Sequence, residues 1–178
     1  MNSIPDPSYL KSFIKDYKNY PKKGINFKDI TPLLNNPELF EQCLYSILLK
    51  VFPNALERGI PTNKSFQWVG IESRGFIFAS ALSLLTHQGL TLIRKKGKLP
   101  NRKQVLTKSY NLEYGKGVLE MYKGQGDIII VDDVLATGGT INAAKDLARK
   151  AGYNILKSVC LVDIGILKNH KFKCVISY

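Results

Sequence analysis

The stretch IIIVDDVLATGGTI, residues 128–141, sets two adjacent aspartates between an aliphatic run and a Thr-Gly-Gly-Thr turn. Gly138 and Gly139 let several backbone N–H groups approach one anion, and the N-terminus of a following helix adds its dipole. Thr137 and Thr140 can donate hydroxyls to the same group. Such a loop suits one terminal phosphate. It has no GK[ST], so it is not a Walker A loop, and no GxGxxG, so it does not point to a dinucleotide. Asp132 and Asp133 would repel a phosphate and need a partner rich in donors. A ribose 2′,3′-diol is such a partner. Phosphate and vicinal diol on one short sugar describe a 5-phosphorylated ribose. Mg2+, bound through carboxylates and substrate oxygens, would offset the remaining repulsion.

The elements that must position this chemistry follow from hydrophobic spacing and from Pro and Gly punctuation. Residues 8–19 read as an N-terminal helix and 20–34 as an irregular arm with a short strand. Apolar positions at Leu39, Cys43, Leu44, Ile47, Leu48 and Val51 predict a helix over 37–52, with Asn36 as its cap and Pro37 at its first position. Strands are expected at 66–71, 91–94, 127–131, 156–162 and 174–177. Helices are expected at 75–86 and 140–151, the second capped by Thr140 and stopped by Gly152. Alternating strands and helices imply a mostly parallel sheet with helices on both faces, which binds ligands at the carboxyl ends of its strands. Both ESRG (72–75) and DDVLATGGT (132–140) fall at such ends. The long, weakly patterned segment between Arg94 and Asp127 reads as a lid, about 95–122, with a hairpin around 109–122.

The chain has 178 residues, which suits one domain, and 44% hydrophobic with 22% charged residues reads as globular. No basic segment followed by an apolar run opens it, and Thr86–Gly89 interrupts the one long uncharged stretch, so neither a signal peptide nor a membrane span is expected. Three scattered cysteines without a CxxC pair fit reduced thiols and a cytoplasmic protein. The net charge of +12 falls in clumps, which fits a multiply charged phosphate substrate or a nucleic acid, with most lysines solvating the surface. His87 and His170 read as surface or packing residues.

Strand ends of this kind followed by ATGGT resemble the type I phosphoribosyltransferases. YPKKGINFKDITPLL (20–34), GIESRGFIFA (70–79), LIRKKGKLP (92–100) and YNLEYG (110–115) narrow the resemblance to the adenine phosphoribosyltransferases, with the blocks in that family's order. The resemblance implies an α/β fold with a mostly parallel central sheet flanked by helices, a small N-terminal hood at about 20–34, and a flexible catalytic lid. It implies transfer of ribose 5-phosphate from 5-phosphoribosyl 1-pyrophosphate (PRPP) to adenine, with Mg2+ and a homodimer. Asp132, Asp133, Ala136, Thr137, Gly138, Gly139 and Thr140 would take the ribose and 5′-phosphate. Mg2+ would be held mainly through PRPP, with Asp132 or Asp133 contributing through water. Ser73, Arg74, Arg94, Lys95 and Lys98 would bind pyrophosphate, with a cis peptide at Glu72–Ser73. The backbone of Asn26 and Lys28 would read adenine between Phe27 and Val134. Glu113 would act as acid/base near N7 and Tyr114 would orient substrate, both carried on the lid.

Two other readings stay open. A 6-oxopurine enzyme would need a donor facing O6, which GINFKD does not plainly supply. A PRPP-binding regulator of nucleic acid would suit the +12 charge but has little use for the YNLEYG lid. The adenine reading expects no nucleic-acid partner.

Overall fold

A computed structural model describes residues 6–60, 65–112, 115–168, 170 and 172–178. Its elements in chain order are α1 (Pro7–Lys11), β1 (Lys15–Lys18), β2 (Asn26–Asp29), α2 (Thr31–Asn35), α3 (Pro37–Val51), α4 (Ala55–Arg58), β3 (Phe66–Ile71), α5 (Gly75–Thr86), β4 (Gly89–Lys95), β5 (Val105–Leu112), β6 (Gly115–Tyr122), β7 (Gly126–Leu135), α6 (Gly139–Ala151), β8 (Tyr153–Asp163) and β9 (Lys173–Ser177). Among the described residues the main sheet runs β5-β6-β4-β3-β7-β8-β9. The strands from β4 to β9 pair in parallel. β6 joins β4 antiparallel, and β5 pairs with β6 in a hairpin.

Alternation along the strands divides the core in two. Trp68, Ile129, Val131 and Leu161 face α3 and α5 in one apolar cluster. Val69, Ile71, Ile128 and Ile130 face α6 in the other, which Leu119 and Met121 of the hairpin complete. Helix α3 begins where its sequence says: Asn36 Oδ1 accepts from the Leu39 N–H at 3.0 Å, and Pro37 holds the first turn.

Three expectations need correction. The helix over 8–19 is a short α1 capped by Asp6, followed by β1. Pairing with β2 overrides local helix preference there, because Lys15–Lys18 lies antiparallel to Asn26–Asp29 and Asp16 meets Lys28 across the pair. The second strand of this pair lies within the 20–34 arm expected to form the hood. Strand β7 does not end at Val131 but runs through both aspartates to Leu135, because β8 continues alongside it, pairing Asp132 with Cys160 and Val134 with Val162. The hairpin in the lid segment starts at Val105, not 109, and its partner β6 is hydrogen-bonded to β4. Its strands are therefore an extension of the main sheet.

Candidate active site

The site is built at the carboxyl ends of β3, β4 and β7. Strand β3 and helix α5 meet closely: a Cβ on Gly70 would lie 2.8 Å from the Gly75 carbonyl oxygen, and one on Gly75 would lie 2.9 Å from Asp132 Oδ1. The two glycines let the ESRG turn pack onto the end of β7. Arg74 is thereby brought to Asp133, with Nε 2.6 Å from Oδ2. That approach lies off the N–H axis, so Oδ2 gains an ion pair but no hydrogen bond.

Asp132 and Asp133 are 8% and 5% exposed. Burial pushes the Asp132 carboxyl well above its ordinary range, and the Asp133 charge pushes the same way. Burial also raises Asp133, while the Arg74 guanidinium pulls against it. The two acids have unequal contacts: Asp133 pairs with Arg74, and Asp132 accepts from the Asp133 N–H at 3.0 Å. No group of three or more His, Cys, Asp or Glu among the described residues could hold a metal. A buried pair with an oxygen short of donors fits a Mg2+ that is shared with a substrate.

Beyond the acids the chain turns sharply. Gly138 sits at φ 78°, a conformation that side chains rarely adopt, and it caps α6 in place of Thr140, which falls inside the first turn. A cavity of about 60 Å³ lies along Val134 to Ile141 and is lined by Ala136, Thr137, Gly138, Gly139 and Thr140. That volume is several times the ~10–15 Å³ one water needs on the same measure, room for a small polar group. Tyr110, which sequence reasoning passed over, joins the hairpin to this loop. Burial raises its hydroxyl, and a hydrogen bond with Thr140 opposes that.

Arg74 also connects the acids to β2. Its Cζ lies 5.1 Å from the Phe27 ring centroid, and Nη1 approaches the Lys28 carbonyl at 3.5 Å. That carbonyl therefore faces away from β1, and Asn26, two residues back, shares its orientation in a hairpin. The outward edge of β2 thus presents backbone groups beside Phe27. The Lys28 side chain has structural contacts of its own. It is buried, pairs with Asp16 at 2.6 Å and lies 3.4 Å from the Tyr178 ring centroid. Val134 is half-buried at the end of β7, against the cluster on the α5 side.

The Glu72–Ser73 peptide is cis, and Ser73 is exposed. Arg94 Nε lies 3.3 Å from Glu72 Oε2 with the side chain still partly exposed, while Lys95 and Lys98 are exposed. Glu113 and Tyr114 lie outside the described residues. His87 ends α5 in the left-handed conformation, and His170 Nε2 contacts Asp163 Oδ2 at 2.9 Å, so both serve the scaffold.

A mostly parallel α/β sheet with acids and a glycine turn at the carboxyl end of a central strand belongs to the class that binds its ligands there. The model of the phosphoribosyl transferase domain matches residues 63–178. An adenine phosphoribosyltransferase of Kosmotoga olearia is 41% identical over 169 residues, 91% of each chain, and one of Petrotoga mobilis is 43% identical over 166 residues, 89% of this chain and 87% of its own. The solved adenine phosphoribosyltransferase of Rhodothermus marinus superimposes with a TM-score of 0.80 at 36% identity, covering 97% of this chain and 98% of its own. That of Saccharomyces cerevisiae, complexed with an imino-altritol bisphosphate and adenine, gives 0.80 at 32% identity over 94% and 96%. The chain belongs to the phosphoribosyltransferase family, and within it to the adenine phosphoribosyltransferases.

Proposed function

We propose that the protein transfers the phosphoribosyl group of PRPP to adenine, giving AMP and pyrophosphate. The observation that carries this is Arg74, which touches Asp133 on one side and the Phe27–Lys28 segment on the other. One residue thus joins a sugar-type site to an apolar slot with outward backbone groups. A relative solved with adenine and a bisphosphorylated imino sugar supports the same division of the site.

In the reaction the bond from ribose C1 to the pyrophosphate oxygen breaks and the bond from C1 to the base nitrogen forms. Positive charge grows at C1 and negative charge on the leaving group. Asp132 and Asp133 accept from the ribose diol, and Ala136 to Thr140 hold the 5′-phosphate. Arg74, Arg94, Lys95 and Lys98 surround the pyrophosphate, with Ser73 beside them. The guanidinium of Arg74 has five N–H donors, so contacts through Nε and Nη1 leave it able to bind a further anion. Mg2+ held by PRPP and by Asp132 or Asp133 through water would neutralise charge on the leaving group. Asn26 and Lys28 read adenine through their backbone, against Phe27 and Val134. Glu113 removes or returns the base proton and Tyr114 orients the substrate, roles assigned from the YNLEYG pattern. The segment 95–122 serves as the lid, its hairpin strands anchored in the sheet.

A homodimer is part of the same proposal. Ile77 and Leu84, seven positions apart on α5, are 40% and 78% exposed and share a helix face, an apolar stripe that a second copy would cover. Among the described residues no helix is long and apolar enough to cross a membrane, and the cytoplasm is the proposed compartment.

Initial rates with PRPP, Mg2+ and a panel of purines test the assignment, with Glu113→Gln alongside. Adenine should be turned over well ahead of hypoxanthine, xanthine and guanine, and Glu113→Gln should slow it by roughly 100-fold or more. Preference for hypoxanthine or xanthine would overturn the choice of base. Unchanged turnover in the variant would remove Glu113 from its role.

A further inference from the structure

The cationic turn after β4 has an unusual backbone. Every N–H from Lys95 to Leu99 is bound inside the protein. Lys95 N–H donates to Glu72 Oε2 at 2.8 Å and Lys96 N–H to the Val118 carbonyl at 2.9 Å. Gly97 N–H donates to Glu120 Oε2 at 2.9 Å, and the N–H groups of Lys98 and Leu99 both donate to Glu120 Oε1 at 2.6 Å. Glu120 lies on β6 directly opposite Arg94 and is 2% exposed. A glycine-containing run of cations resembles a backbone cradle for phosphate. Here the cradle is filled by a carboxylate of the chain itself, so an anion meeting this turn meets side chains.

We propose that Glu120 is the positioning residue for the pyrophosphate-binding cations. It gathers three successive N–H groups and so fixes the path of the turn. Lys95 and Lys98 are left exposed with their charges available. Glu72 holds the other end, taking Lys95 N–H and the Arg94 guanidinium on one oxygen. Glu120 is closed off from solvent and turned to the N–H groups of the turn. Its effect on the reaction passes through the turn, and the proposal rests on the phosphoribosyl-transfer reading of the site.

The test is Glu120→Gln, which keeps size but sets an NH2 group against an N–H donor. KM for PRPP and the inhibition constant of inorganic pyrophosphate should each rise about tenfold, the loss of one net charge-assisted hydrogen bond, while KM for adenine stays within about twofold. Gly97→Ala reaches the same turn by another route. Gly97 sits at φ 92° with open space around its Cβ position, so an added methyl strains the backbone without a clash. It should show the same split between PRPP and adenine. Equal rises in both KM values, or a lowered melting temperature with KM for PRPP unchanged, would overturn the proposal. Should Glu120→Gln fail to fold, Gly97→Ala decides by the same criterion. Absence of turnover in the wild type would instead overturn the transferase reading. The turn would then be judged by pyrophosphate-induced shifts in melting temperature, which should be smaller in Gly97→Ala than in wild type; equal shifts would overturn the role of the turn.

Discussion

Two sets of buried carboxylates lie on opposite sides of β3 and β4, and they are treated in opposite ways. At the end of β7, Asp132 and Asp133 are packed together with one arginine as cation and few donors, and burial raises both. On β6, Glu120 is as closed to solvent but lies under a thinner shell of protein, and burial alone would still raise it. Three backbone N–H groups outweigh that, and its carboxyl is held below the ordinary value. The contrast separates two uses of a buried acid. Glu120 has its donors supplied by the fold and so fixes structure. The aspartates have fewer donors, and Asp133 Oδ2 has no hydrogen bond of its own, which is what a site for a diol and a shared cation requires. Burial marks both sets; the donor supply tells them apart.

The largest expected effect breaks the aspartate side. Asp132→Asn and Asp133→Asn each remove a charged acceptor from the sugar, and a hydrogen bond to a charged group is worth about 1.5–3 kcal/mol. PRPP binding should weaken roughly 10- to 150-fold in each, and adenine binding much less. Titration calorimetry with each substrate measures both. Loss of adenine affinity with PRPP binding intact would mean that these acids face the base.

Much of this contrast was legible before the structure. The strand, the acid pair and the glycine turn announce a ribose phosphate site through residue types at fixed local spacing. Strands β3 and β9 and helices α3, α5 and α6 fall close to their expected positions, because each carries its own periodicity and stops. Strand β1 was hidden because all four of its residues are exposed and carry no apolar alternation. The length of β7 was hidden because aspartates disfavour strands, and only the neighbouring β8 shows that they are in one. Glu120 was hidden for a different reason. Its partners are Gly97 to Leu99, more than twenty residues earlier, and use backbone atoms that no side-chain pattern reveals. Tyr110 likewise acquires its meaning only when the hairpin lies against Thr140.

Stability sharpens the comparison by a change of sign. In the ligand-free protein Asp132→Asn removes one of two adjacent buried charges and keeps an oxygen for the Asp133 N–H, so it should stabilise the fold by on the order of 1 kcal/mol at neutral pH. Glu120→Gln breaks a satisfied carboxylate and should destabilise by about 1–3 kcal/mol. For a chain of this size each kcal/mol shifts the melting temperature by about 2–4 °C. Thermal melts without ligand should therefore move up for the first variant and down for the second. Shifts of the same sign would erase the distinction between the two carboxylate sites.

The pH dependence of those melts gives the smallest and most specific effect. The folded Asp132 carboxyl is raised above its ordinary 3.8, so ionisation costs wild-type stability as pH rises from there through the raised value. Below 3.8 that cost is absent, and the advantage of Asp132→Asn should vanish as acid protonates the wild type. Glu120 is lowered from its ordinary 4.5, so its contribution is complete above 4.5 and is lost only as pH falls through the lower, folded value. On acidification from neutral pH the Asp132→Asn gain should thus fade first, while the Glu120→Gln deficit persists to more acidic conditions. Fading in the reverse order would show that the fold supplies donors to the aspartates and withholds them from Glu120, the opposite of the division drawn from the geometry.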